Sequence, residues 1–590
     1  NLDTSTDPSG PVRRAYSSSS AIRILADYNQ LGTGTTADRI KNDIMPKAIA
    51  ELQRRLAVKS PVSGNLYLPV GCASWWVGSG DTIYCSEHMQ TESDPSYCSS
   101  PSLGVVHEWK YFGSYQLCTD GFESACTNYP AQEGAPDTDF IIYVVSKDSS
   151  CGDSTLGFAG FCEQDTNTGR PVAGYVNFCP DVTASSSDQS VLETAVHELL
   201  HALYFDDGLM ESYIDSSGSV LGPENVFGTD YAGRSTIKTA KVVSKMQEIT
   251  GCSSVSGVPL ENDGGSGSAM SHWEAAHVQS EIMNSQSSPL ERVQFSPITL
   301  SLAEDSGWYE ANWDVPGYLD FGAGGGCSFL SSSCDSFASA NPSQDFFCSS
   351  DGSLECSWNN RLMSVCSEGF YSASCLIGTP YSTTYSNNGV QTDSNCWDPA
   401  NQGSGGRFGF YFGQNSRCIP VLSQLGYING ASVELMPSGA ICAEMSCTEG
   451  GTLQVTVEGT TFDCPTGSTV DLSGLPNFDT GSLGPCPDNT EVCGTLSCTN
   501  DCNSNGACYE GTCYCFLGYA GSDCSSSVCT ASSCTGGTCD TSSGLCSTSI
   551  SSPPPSPPPP TVASPPPPSP SPPPLSPPPF PPPPLSPSCT

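Results

Sequence analysis

The sequence predicts an α+β chain of several domains, braced by disulfides and ending in a polyproline II rod. Strand-type runs lie next to one strong helical pattern in the N-terminal third, which supplies both element types. Thirty-three cysteines are scattered over 590 residues without tandem metal-ligand spacing, and that many thiols persist only as disulfides, outside the cell. The last region is almost wholly proline and serine. A chain of this length also exceeds what one compact core holds.

Four regions separate by composition: a mixed one to about Cys493, a tight cysteine ladder at 498–524, a small polar segment at 525–550, and the proline tail at 551–590. They hold 22, 6, 4 and 1 cysteines, so each region except the tail can close its cysteines internally. In the first region "TDFIIYVVS" (Thr138 to Ser146) is a buried-strand run, and "RPVAGYVNFCP" (Arg170 to Pro180) is a second strand closed by proline. "SSSDQSVLETAVHELLHALYF" then reads as a helix with Ser187 or Asp188 as N-cap. Leu192, Ala195, Val196, Leu199 and Leu203 recur at helical spacing, while Glu193, Thr194, His197, Glu198 and His201 gather on the opposite face.

Charge excludes some partners. With 20 Lys+Arg against 61 Asp+Glu, the net charge is -41, a surface that repels nucleic acid and anionic lipid. No apolar run approaches the roughly 20 residues of a membrane span, and the polar opening "NLDTSTDPSG" fits a secreted chain already freed of its leader. No acceptable Asn-x-Ser/Thr sequon occurs, so any sugar is expected to be O-linked.

The polar helix face needs a reason, and a metal supplies one. His197 and His201, four residues apart, present their imidazoles to one ion, whereas Glu198, about 100° around the helix, stands beside the ion as a general base. A third ligand is required, and three residues qualify: Asp207, at the position a compact H-E-x-x-H-x-x-G-x-x-H pattern reserves, His272 in "GGSGSAMSHW", and His277, whose plain alternative is a surface helix residue.

These motifs resemble the leishmanolysin family of zinc metallopeptidases, in the metzincin clan. The resemblance rests on "HELLH", on "LENDGGSGSAMSHW" with "SEIMN" eleven residues beyond its histidine, on "TDFIIYVVS" and "RPVAGYVNF", on "SPITLSLAEDSGWYEANW" and on "CPDNTEVCG". It implies a metzincin-type catalytic domain with a twisted mixed sheet and an active-site helix. The implied divisions are a leader (1–20), an N-terminal catalytic subdomain (21–207), an insertion (208–270) and a disulfide-rich C-terminal subdomain (271–494). It further implies Zn2+ held by His197, His201 and His272, Glu198 as catalytic base, and Met283 as an apolar floor in a Met-turn. A protein or peptide substrate would lie extended along an edge strand, for which Gly174 to Phe178 is the candidate. One departure stands out. The family breaks the helix at a glycine three residues after the second histidine, and this chain has Tyr204 there, so either the helix continues or Tyr204 takes an unusual conformation.

The ladder at 498–524 resembles an EGF-like module, which implies the pairs Cys498 to Cys508, Cys502 to Cys513 and Cys515 to Cys524, with a spacer or docking role. The tail, a polyproline II rod on the order of 110 Å long, resembles hydroxyproline-rich glycoproteins of extracellular matrices, with O-linked glycans. Cys589 has no counterpart within its region and is the candidate for an intermolecular disulfide, to a second copy or to a matrix or wall glycoprotein. Two functions follow: a secreted zinc endopeptidase acting on extracellular matrix or cell-wall proteins, or a structural subunit of an extracellular fibre or wall that uses the peptidase fold as a building block.

Overall fold

Phe140–Val145 is buried at all six residues, as its unbroken apolar run dictates. It lies inside a four-stranded sheet made of β1 (Ile24–Asp27), β2 (Phe140–Val145), β3 (Gly157–Gln164) and β4 (Pro171–Phe178). The order is β1-β2-β4-β3, with β1 and β4 parallel to β2, and β3 antiparallel to β4. The sheet comes from a computed structural model that describes residues 21–548, with short interruptions of which the longest are 78–82, 89–95, 119–125, 263–267, 286–292, 368–374 and 402–408. The proline tail and Cys589 lie outside the described residues.

The topology corrects the edge-strand expectation. Gly174–Phe178 belongs to β4, which has neighbours on both sides, and the edge next to it is β3. A tight return at 165–170 folds the two strands together: Asp165 caps the turn by accepting from the Thr168 amide and hydroxyl, and Gly169 takes φ +70. An interior position also accounts for the apolar content of β4, since a strand between two neighbours under a helix meets no water.

One face of the sheet packs, through Phe140, Ile142, Val144, Val176 and Phe178, on α1 (Met45–Arg55) and α2 (Asp188–Leu203). The opposite face buries Ile141, Tyr143, Val145 and Ala173 under a second cluster that includes Leu68, Val105 and Phe112. Residues of the 208–270 insertion, among them Met210, Ile237, Met246 and Leu260, share the first core, as do Trp273 and Met283.

Ser187 caps α2 by accepting from the Ser190 amide at 3.1 Å. The other end of the helix resolves the Tyr204 question. The helix stops at Leu203, and Tyr204 sits at φ -164 and ψ -16, neither helical nor extended, so the second alternative holds, without the positive φ that a glycine would take. Its ring is fully buried, its hydroxyl donates to the Thr299 carbonyl (3.2 Å), and its own carbonyl accepts from Tyr213 (2.6 Å). The side chain thus supplies core contacts where the family's glycine supplies backbone freedom.

Beyond the N-terminal region, a seven-stranded antiparallel sheet spanning 416–483 has its own core around Ile441, Val455 and Phe478. Disulfides staple the region, Cys396–Cys442, Cys447–Cys493 and Cys464–Cys486 among them. Even counting predicted complete pairing, yet Cys348 and Cys366 carry free thiols that hydrogen-bond to each other. The 498–524 segment contains Cys498–Cys508, Cys502–Cys513 and Cys515–Cys524.

That segment docks on the N-terminal region. Leu517 enters the main core, the Leu517 carbonyl accepts from Gln189 at 3.2 Å, and the Gly518 amide donates to Glu51 Oε1 at 2.6 Å. Glu51, on α1, is fully buried and also pairs with Arg54 (2.8 Å) and Arg55. Burial alone would push this carboxyl up, but two guanidinium charges and the Gly518 amide outweigh it and hold Glu51 below its ordinary range. No helix among the described residues is long and apolar enough to cross a membrane.

Candidate metal centre

Helical spacing puts His197 and His201 one turn apart on α2, and the chain returns a third imidazole to them. Leu260 bridges to Trp273, and the Glu261 amide donates to the His272 carbonyl, so the end of the insertion carries His272 back over the helix. The three Nε2 atoms converge: His201 to His197 is 3.0 Å, and His272 lies 3.2 Å from each of the other two.

The opposite ring nitrogens decide the tautomers. His197 Nδ1 faces the Ile282 carbonyl at 2.5 Å, His201 Nδ1 the Phe205 carbonyl at 2.7 Å, and His272 Nδ1 the Ser268 carbonyl at 2.9 Å. A carbonyl only accepts, so each Nδ1 bears the hydrogen and each Nε2 turns a lone pair towards the same point. Burial drives His197 down to about 4 and His272 to about 3; it also holds His201 well below its ordinary value, with its two imidazole neighbours adding to the effect. All three rings are therefore neutral donors at neutral pH. Three facing lone pairs repel unless a cation lies between them. Their separations are close to the roughly 3.3 Å expected of nitrogens each about 2.0–2.1 Å from one tetrahedral ion. The donor set fits zinc.

Glu198 stands beside this cluster, 6 % exposed, and burial pushes its carboxyl up to about 8. It lies under the start of β3: a side chain added at Gly157 would meet Glu198 Cγ at 3.5 Å, Thr194 at 3.3 Å and the Asn177 carbonyl at 3.0 Å. Glycine is needed there for close approach of strand and helix. Tyr175 on β4 shares this neighbourhood, and burial and then the Glu198 charge raise its phenol.

The other two candidate ligands are elsewhere. Asp207 begins the short helix Asp207–Met210, next to its cap Asp206, outside the histidine cluster. His277 is not the surface helix residue expected of it. It is 1 % exposed in a run of turns, set edge-on against Phe329 at 5.8 Å, with no hydrogen-bond partner on either ring nitrogen. The apolar residues around it, Ala275, Ala276 and Val278, draw the segment into the core. Met283 is fully buried one residue after Ile282; its amide donates to Glu281 and its carbonyl accepts from the Trp273 amide at 3.0 Å. Sequence reasoning missed the three carbonyls that orient the imidazoles, because backbone groups carry no residue signature.

The leishmanolysin family model matches residues 113–375 and 363–500. The ciliated left-right organizer metallopeptidase of Xenopus laevis is 31% identical over 419 residues, covering 69% of this chain and 54% of that protein. A leishmanolysin-like peptidase of Caenorhabditis elegans is 33% identical over 372 residues (56% of this chain, 54% of the relative), and the leishmanolysin of Leishmania major is 26% identical over 393 (64% and 63%). The chain spans about half the length of the first two of these relatives. Because the two matched spans overlap and run through the histidine helix, His272 and Met283 alike, the chain belongs to the leishmanolysin family, whose members are metal-dependent peptidases.

Proposed function

We propose that this protein is a secreted zinc endopeptidase that hydrolyses peptide bonds of extracellular matrix or cell-wall proteins. The observation that carries the reading is the convergence of three Nε2 lone pairs, each fixed by a carbonyl behind it, with a buried carboxylate alongside. His197, His201 and His272 would hold a zinc ion, which would supply Lewis acidity towards a peptide carbonyl and towards water. Burial alone raises Glu198, but a cation at the three imidazoles favours its ionised form, in which it takes the proton of the attacking water and delivers it to the leaving amine. The outer edge of β3, above Glu198, offers amides and carbonyls to an extended substrate chain.

The test is metal analysis of the purified protein with cleavage of an unfolded protein substrate. About one zinc per chain is expected, with activity lost on chelation and restored by zinc. Cleavage that survives complete removal of metal would overturn the reading.

Secretion, the EGF-like module at 498–524 and the proline tail belong to the same proposal, as the means of holding the enzyme in an extracellular network. An odd total of 33 cysteines leaves at least one without a partner in its own chain; the free Cys348 and Cys366 are buried or half-buried beside each other, so Cys589 at the end of the rod is assigned the intermolecular disulfide. Non-reducing electrophoresis of native material is expected to show a covalent oligomer that Cys589→Ser abolishes, and a monomer in both samples would refute this tether.

A further inference from the structure

We infer that Glu281 is a positioning residue that sets two of the three imidazoles at once, and so tunes the affinity of the site for its metal. The inference rests on the zinc reading above. Glu281 is fully buried, and its carboxylate accepts four hydrogen bonds: from the Ser296 hydroxyl (2.7 Å), the Ser296 amide (3.2 Å) and the Thr299 hydroxyl (2.5 Å) on Oε1, and from the Met283 amide (2.5 Å) on Oε2. A carboxylate taken out of water is costly unless its lone pairs are satisfied, and here donors from two segments meet on it.

Two routes lead from this carboxylate to the histidines. The Met283 amide pins the chain just after Ile282, while the Ile282 amide is held by the Gln294 carbonyl at 2.8 Å. The peptide carbonyl between them is the one that His197 Nδ1 meets, so its direction is fixed from both sides. Along the second route, Thr299 donates to Glu281 and accepts from the Trp273 indole N–H at 2.8 Å, and Trp273 follows His272. The Trp273 amide also donates to the Met283 carbonyl, closing the ring of contacts. One buried group therefore joins the segment behind His197 to the segment carrying His272. Groups of this kind fix ligand direction, and their loss typically costs about 10- to 100-fold in metal affinity.

The experiment is zinc affinity by chelator competition, with the visible absorption of the cobalt(II)-substituted protein as a report on ligand geometry. Glu281→Gln keeps the shape but replaces one acceptor oxygen with a donor. It is expected to weaken zinc binding about 10- to 100-fold and to shift the cobalt bands. Thr299→Val, which cuts only the Trp273 route, should give a smaller loss of the same sign. Val455→Ala in the separate C-terminal core serves as the control for instability, lowering the melting temperature with zinc affinity unchanged. A folded Glu281→Gln protein with wild-type zinc affinity and unshifted cobalt bands would overturn the inference. Should Glu281→Gln fail to fold, an unaltered affinity in Thr299→Val would do the same. Failure of the wild-type protein to bind zinc would instead remove the functional reading itself, so the two failures are told apart.

Discussion

Glu198→Ala is expected to keep its zinc and its fold while losing about 10⁴-fold in kcat, the upper range for general acid–base catalysis. The size of the effect follows from the double duty of this carboxylate, which handles a proton in the attack of water and again in departure of the amine. Among the described residues no neighbour replaces it: β3 approaches through Gly157, which offers no side chain, and the Tyr175 phenol, its titration raised by burial, stays protonated at neutral pH. Metal retention is expected because Glu198 is not among the three converging groups. The measurement is kcat on a peptide substrate beside zinc content per chain. A variant that retains more than a tenth of wild-type kcat would exclude Glu198 as the base.

His272→Ala is the second large effect, expected to reduce zinc from one per chain to near zero and to abolish cleavage. Two imidazoles on one helix leave an ion with half its tetrahedral shell to find from water, and the pre-set triangle of nitrogens is gone. Asp207→Ala should keep full zinc. So should His277→Ala, although a buried ring is lost and stability falls with it. Metal analysis of the three proteins together decides the matter, and undiminished zinc in His272→Ala would displace the assignment to another ligand.

The parts of the site that lie on one helix were legible in the sequence. His197, Glu198 and His201 are a local pattern, and helical geometry alone puts two imidazoles on one side with the carboxylate at their shoulder. His272 was legible only through the resemblance, since its approach depends on the Leu260 bridge and on turns that no periodicity announces. The edge strand was misplaced for a physical reason. β3 reads "GFAGFCEQ", whose glycines weaken any strand pattern, and those glycines suit close approach: Gly157 leaves room for Glu198, and Gly160 lies against the Tyr175 ring. The steady apolar run of β4 marks a strand with neighbours on both sides rather than one at an edge. His277 misled because histidine is usually found at least partly in water, whereas here its apolar neighbours decide its position.

The docking of Gly518 on Glu51 also bears on how the molecule is made. Chains leave the ribosome N-terminus first, and domains generally fold as they emerge. Glu51 must wait 467 residues for the amide that completes its shell, and Gln189 on the histidine helix waits 328 for the Leu517 carbonyl. A nascent chain therefore holds its histidine helix against an unfinished surface until residues 517 and 518 have emerged. Folding of the 498–524 segment is the event that seals it, which makes the synthesis of that distant segment part of the maturation of the N-terminal half.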